Sequence, residues 1–196
     1  MRYIAFGIIL LFVLHGCITV KLQSVLPEQA YYSLDTVNLE PTCNKFDNSL
    51  GLNITVLSPY DGKDILLYSE GSEIRILEKY KWIDLPKNMI RNSIIKSGLN
   101  QCLRIEQNPP LGQKLNTLRV SVNELYLSSE EEQIDSKQNK NVEYSGYIYL
   151  NYELVGPNSN RIKSGVVFTT TKNHNPAKAL QEALNESVLK ILNEIK

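Results

Sequence analysis

Three stretches decide the fold: Leu115-Asn-Thr-Leu-Arg-Val-Ser-Val-Asn-Glu-Leu-Tyr-Leu127, Glu143-Tyr-Ser-Gly-Tyr-Ile-Tyr-Leu-Asn-Tyr-Glu-Leu-Val155 and Arg161-Ile-Lys-Ser-Gly-Val-Val-Phe-Thr-Thr-Thr171. In the first, Leu118, Val120, Val122 and Glu124 keep one phase of a two-residue period; in the second, Tyr144, Ile148, Leu150 and Tyr152 do the same. The third is rich in β-branched residues. This period and these side chains specify half-buried strands. Gly156-Pro157-Asn158 is a turn between the second and third, and residues 128–141, with Glu130-Glu131-Glu132, read as a charged loop between the first and second. Three long strands in succession make a meander.

Downstream, Asn175-Pro176 supplies a cap and an N1 proline, after which Leu180, Ala183, Leu184, Ser187, Val188, Ile191, Leu192 and Ile195 recur at spacings of three and four. That is an amphipathic helix with a polar back. Upstream, Trp82-Ile-Asp-Leu-Pro86 opens another. Asp84 is its expected cap, Pro86 sits in its first turn, Leu85, Met89, Ile90 and Ile94 share a face, and Gly98 is its expected end. Further strands are expected at Tyr31–Leu34, at Gly51–Leu57 (Leu52, Ile54 and Val56 on one face) and around Cys102–Ile105, before a break at Pro109-Pro110. Ile65–Tyr68 and Glu73–Leu77 flank Gly71 as a hairpin. The expected architecture is a single α+β domain, an antiparallel-rich mixed sheet with two helices packed on one face. There is no internal repeat and no low-complexity tract.

The N-terminal end is of another kind. After Met1-Arg2-Tyr3 comes an apolar run from Ile4 to Leu14, too short for a membrane span and right for the core of a secretory signal. The run ends in Leu14-His15-Gly16-Cys17, which resembles a lipobox, with His15 in a slot that usually holds a smaller residue. Residues 1–16 are thus expected to be a lipoprotein signal peptide. Cys17 is the expected lipidation site, carrying a diacylglyceryl thioether and an acyl chain such as palmitate on its new amine. Two or three chains hold a protein at a membrane durably, whereas one does so only reversibly. Residues 17–29 contain Pro27 and no periodicity and read as a tether to a folded domain over 30–196.

The whole chain balances 21 basic against 21 acidic residues, and cleavage would remove only Arg2 from that balance. Nothing in it argues for nucleic acid or for an anionic surface as partner. Besides Cys17 there are only Cys43 and Cys102, and an exported compartment permits a bridge between them; two isolated thiols are the other reading.

Chemistry is sparse. The single histidine after Gly16 is His174, in a loop, and no His, Cys and carboxylate cluster has metal spacing. Neither a metal nor a cofactor is expected. Ser93-Ile-Ile-Lys96, Ser121-Val-Asn123 and Lys163-Ser-Gly165 occur in the order used by penicillin-binding serine enzymes. That site needs its serine at the start of a helix and a helical domain between the motifs. Ser93 lies late in its helix and the spacings leave no such room, so no enzyme activity is expected. Trp82, with Tyr80 before it, reads either as a core residue pinning helix to sheet or as an aromatic contact to a partner. The tyrosines at 144, 147, 149 and 152 divide between the two faces of their strand, so half of them meet solvent or a partner.

Ile65-Leu-Leu-Tyr68, Ile74 and Tyr80-Lys-Trp82-Ile-Asp-Leu-Pro86 leading into a helix resemble the ABC-type transport auxiliary lipoprotein family, with Lys81 where that family usually has arginine. Tyr31-Tyr32-Ser33-Leu34 soon after the lipobox cysteine, and the closing helix after a meander, extend the resemblance over residues 17–196. The resemblance implies a non-enzymatic, periplasm-facing accessory of an MCE-type ABC lipid transport system, similar to the paraquat-inducible protein C group. Its implied partners are an MCE protein and its ABC transporter, docked by a homo-oligomer of the folded domain. Ile18 and Thr19 follow the cysteine with no retention aspartate, which favours the outer membrane over the inner one. The competing expectation is an assembly lipoprotein partnering an outer-membrane barrel in lipopolysaccharide export, whose small domains also set two helices on a sheet.

Overall fold

The structure is a computed structural model that describes residues 28–40, 43, 45–46, 48–69, 73–107, 114–129 and 142–196. The signal peptide, Cys17, most of the tether, the turn at Gly71, the Pro109-Pro110 break and the acidic loop around Glu130 lie outside the described residues. The elements are β1 (Ala30–Tyr32), β2 (Asn48–Val56), β3 (Asp64–Tyr68), β4 (Ile74–Trp82), α1 (Pro86–Asn100), β5 (Leu103–Glu106), β6 (Asn116–Ser129), β7 (Tyr144–Val155), β8 (Arg161–Asn173) and α2 (Pro176–Ile195).

The meander is β6, β7 and β8, paired antiparallel in sequence order along nearly their full lengths. The other edge of β6 is shared. β2 runs parallel to its first half, from Leu50 opposite Asn116 to Val56 opposite Val122, and β3 runs parallel to its end, at Leu67 and Tyr68. β5 pairs outside β2, while β4 and then β1 pair outside β3. The result is a mixed eight-stranded sheet whose longest ladders are antiparallel and which forks beside β6.

Both helices pack on one face of this sheet and touch each other. Leu118, Val120, Val122, Ile148, Leu150 and Leu154 point toward them and are buried against Leu180, Leu184, Val188 and Leu192 of α2 and Met89, Ile90 and Ile94 of α1. Each such side chain contributes roughly 1.5–3 kcal/mol through removal from water. Gly146 lets α2 approach: a Cβ there would lie 2.6 Å from the Ala179 carbonyl carbon and 2.8 Å from the Leu180 nitrogen. Thr171 donates its hydroxyl to the Ala179 carbonyl at the same contact. Asn175 caps α2, its Oδ1 accepting from the Ala177 and Lys178 N–H groups at 2.9 and 3.1 Å.

After β1 the chain crosses the helices as a strap. Leu34 is buried in the core, Gln181 donates to the Ser33 carbonyl at 2.7 Å, and Asn185 reaches the Thr36 hydroxyl at 2.9 Å. Lys96 pairs with Asp35 at 2.7 Å and Asn100 donates to the Asn38 carbonyl at 2.8 Å. The strap ends at Cys43, whose sulfur is bonded to that of Cys102 just beyond α1.

Four local expectations need correction. Gly98 does not end α1, which continues to Asn100; a Cβ at 98 would meet Ile105 Cδ1 at 2.6 Å, so this glycine serves a close approach to β5. The N-cap of α1 is Leu85, because Pro86 is its first helical residue. Asp84, one position earlier, instead accepts from the Leu85 N–H at 2.7 Å and from the Asn88 amide. Leu85 is 43% exposed and leaves the buried face to Met89, Ile90, Ser93 and Ile94. In β6 an irregularity between Val122 and Glu124 shifts the phase, so Leu125 and Leu127 take the core positions and Glu124 faces the other way.

Candidate functional site

Alternation along each strand leaves a second face on the sheet, opposite the helices, and its residues fall into two halves. One half is aromatic. From β3 across β6 and β7 to β8, ring centroids follow at 4.3 Å (Tyr68 to Tyr126), 5.0 Å (Tyr126 to Tyr147) and 6.2 Å (Tyr147 to Phe168). Tyr60, in the excursion between β2 and β3, extends the band through a 2.8 Å hydroxyl contact with Tyr68. Burial, this hydroxyl contact and the Glu124 carboxylate all push the Tyr60 phenol up from its ordinary pKa; burial and Glu124 do the same to Tyr126. Phe168 and Val166 of β8 are 56% and 60% exposed, and Ile74 and Ile76 of β4 are exposed as well. An exposed apolar surface of this kind on a domain with a complete core is characteristic of an interaction surface.

The other half is polar and concave. A depression of about 570 Å³ lies between the first part of β6, the end of β7 and the start of β8, reaching Asn53 and Thr55 of β2. Glu153 is part of its lining, with the Arg161 Nε–H donating to one carboxylate oxygen and Arg119 Nη1 3.5 Å from the other. The lining carries two guanidiniums and one carboxylate, hence a net positive charge, with Ser121, Asn151 and Ser164 adding hydroxyl and amide groups. Tyr149 and Val166 line it too and join it to the aromatic half. A guanidinium has five N–H donors in a planar fork that matches phosphate or carboxylate oxygens. The arrangement can hold an anionic group at one end and apolar matter beside it.

Of the residues singled out in the sequence, Tyr147 lies in the aromatic band and Tyr149 and Ser121 line the depression, whereas the cysteines, Trp82, Tyr80, His174 and Ser93 sit elsewhere. Cys43 and Cys102 are bridged, with Cα atoms 5.4 Å apart. Trp82 is 1% exposed and belongs to the core, so of its two readings the structure places it in packing; Tyr80 is half-buried, stacked on Tyr32 at 5.5 Å. Among the described residues no group of three His, Cys, Asp or Glu side chains could hold a metal ion. His174 is exposed beside the Val142 carbonyl. Ser93 is fully buried, Lys96 is paired with Asp35, and Lys163 reaches the Glu194 carbonyl, so the three serine-enzyme motifs do not converge on an accessible nucleophile.

Arg119, Glu153 and Arg161 went unremarked in the sequence. Their signal was present: they occupy polar-phase positions of three consecutive strands, and the meander register brings Arg119 opposite Glu153 and Arg161 opposite Val155.

No protein-family model matches the chain, and no curated protein matches it. Among solved structures, the protein XCC0632 from Xanthomonas campestris, of the DUF330 family, superposes with a TM-score of 0.65 at 13% identity, covering 85% of this chain and 94% of that one. The chain shares that fold. An uncharacterized protein gives a TM-score of 0.64 at 15% identity over 86% of this chain and 99% of the other. A minor lipoprotein from Acinetobacter baumannii matches at a TM-score of 0.38 and 9% identity, over 74% of this chain and 91% of that one, a likeness too loose to carry an argument. The two closer likenesses speak for the strand and helix arrangement and leave the open face of the sheet to be read from its own residues.

Proposed function

We propose that the chain is a lipoprotein anchored through Cys17 at the periplasmic face of the outer membrane, serving as a non-enzymatic accessory of an MCE-type ABC lipid transport system. The observation that carries this reading is the open face of the sheet, an aromatic band continuous with a cationic depression, which offers surface for binding. The lipobox-like Leu14-His15-Gly16-Cys17 supports the anchor. The sequence resemblance of the Tyr80-Lys81-Trp82 block supports the family reading; in the structure Trp82 is buried and Tyr80 packs against the core where β4 passes into α1.

The test is a complex. The Cys17→Ser form is purified together with the MCE proteins encoded by the same genome and analysed by size-exclusion chromatography. Co-elution with one of them is the expected result. Failure of every such pair to form a complex overturns the proposal, as would genes for a permease, an ATPase and an MCE protein being absent from that genome.

A further inference from the structure

The two halves of the open face differ in chemistry but share a border. Tyr149 lies on that border: it lines the depression and stands opposite Phe168 in the β7–β8 register. Val166, one alternation away from Phe168, lines the depression from β8. Glu124, opposite Tyr149 in β6, is the carboxylate on the aromatic side of the border. From β8 across β7 and β6 to β3 the aromatic band spans three strand spacings, roughly 14 Å, comparable in length with an extended acyl chain.

We propose that this face is a binding site for a phosphodiester-bearing lipid, its headgroup between Arg119 and Arg161 and an acyl chain laid along Phe168, Tyr147 and Tyr126. The inference rests on the lipid-transport reading above and names the class of ligand and its seat. Charge complementarity decides for the phosphodiester. It carries one negative charge, and two guanidiniums sharing the single Glu153 carboxylate leave one positive charge in excess. Arg161 uses its Nε–H on Glu153, and its terminal N–H groups suit a bidentate phosphate contact. Ser121 and Asn151 can serve the glycerol and ester oxygens. The same arginines would meet a free phosphate, but a free phosphate has no use for the adjoining 60% exposed Val166 and 56% exposed Phe168.

The test uses the processed chain, residues 17–196 with Cys17→Ser, from which none of the described residues is missing. Dihexanoyl phosphatidylglycerol, below its micelle concentration, is titrated calorimetrically against it. Glycerophosphoglycerol, inorganic phosphate and octyl glucoside serve as headgroup, free anion and chain alone. The lipid should bind at one site and more tightly than any of the three. Arg119→Gln and Arg161→Gln should each weaken it about tenfold or more, the loss of a charge-assisted contact. Phe168→Ser should weaken the lipid about tenfold while leaving glycerophosphoglycerol unchanged. The three side chains are exposed, and unchanged thermal melting verifies that each variant is folded. Inorganic phosphate binding as tightly as the lipid would overturn the lipid as ligand, and octyl glucoside doing so would overturn the headgroup contact. Lipid affinity unchanged in the double arginine variant would overturn the site. A chain that binds no lipid yet forms the MCE complex refutes this inference alone; lipid binding with no MCE complex refutes only the proposed function.

Discussion

Replacing both bridged cysteines, Cys43→Ser with Cys102→Ser, should lower the stability of the domain by about 4 kcal/mol. The magnitude follows from the loop that the bridge closes, whose ends are 59 residues apart. Chain entropy removed from the unfolded state by a loop of that length is about 14 cal/mol/K, or about 4 kcal/mol at 25 °C. The loop holds β2, β3, β4 and α1, so its opening frees a large part of the unfolded chain. Urea unfolding followed by the fluorescence of Trp82 is a suitable assay, because the only tryptophan is buried in the core and reports global unfolding. With a urea slope of about 2 kcal/mol/M, the midpoint should fall by about 2 M. Reduced wild-type protein should behave like the variant. A midpoint shift below about 0.5 M, with protease cleavage appearing between Ser33 and Glu40, would show that only the strap is released and would refute the reasoning.

Gly146→Ala should cost about 2–3 kcal/mol, because the new methyl meets backbone atoms of Ala179 and Leu180 and α2 must move to admit it; the same urea assay reads it. Asn175→Ala removes the acceptor for two orphan N–H groups at the start of α2 and should cost about 1 kcal/mol, seen as a lower midpoint with unchanged slope. Tyr152 is buried beside the Glu194 carboxylate that accepts its hydroxyl proton, and burial first, then Glu194, hold its pKa up at about 12. An unfolded tyrosine ionises near pH 10. The stabilising contribution of Tyr152 is therefore whole below pH 10 and lost as pH rises through about 12, a fall of up to roughly 2 kcal/mol. Tyr152→Phe should shrink the drop in midpoint between about pH 9 and about pH 11.5 accordingly, the remainder coming from other raised phenols such as Tyr60 and Tyr126.

The meander and the last helix were legible because their signals are local: alternation at Leu118, Val120 and Val122, and a cap followed at once by Pro176, fix strand and helix within a few residues. Gly98 misled because a glycine late in a helix is a common terminator, whereas here it answers to Ile105, a neighbour in space that no local pattern announces. Glu124 misled for the same reason, since a phase shift in β6 shows only in its register with β7. The forked edge of β6 depends on pairing between segments some sixty residues apart, and the depression draws on four strands. Its arginines could be noticed in the sequence, but their sharing of Glu153 is a property of the register.

The strap gives the domain a defined response to tension. A pull on the chain ahead of residue 28 first loads β1, three residues held along the edge of β4, and could peel it away. Next in line come Leu34 in its core seat and the side-chain contacts to Gln181, Asp35, Thr36 and Asn38, which would fail one after another. Beyond them stands the bond from Cys43 to Cys102, which carries the load past the loop it closes and leaves β2, β3, β4 and α1 out of the covalent line of force. A domain hauled by its leading end would thus give up β1 and a short leash before a covalent clasp catches it, with the segments inside the bridged loop spared.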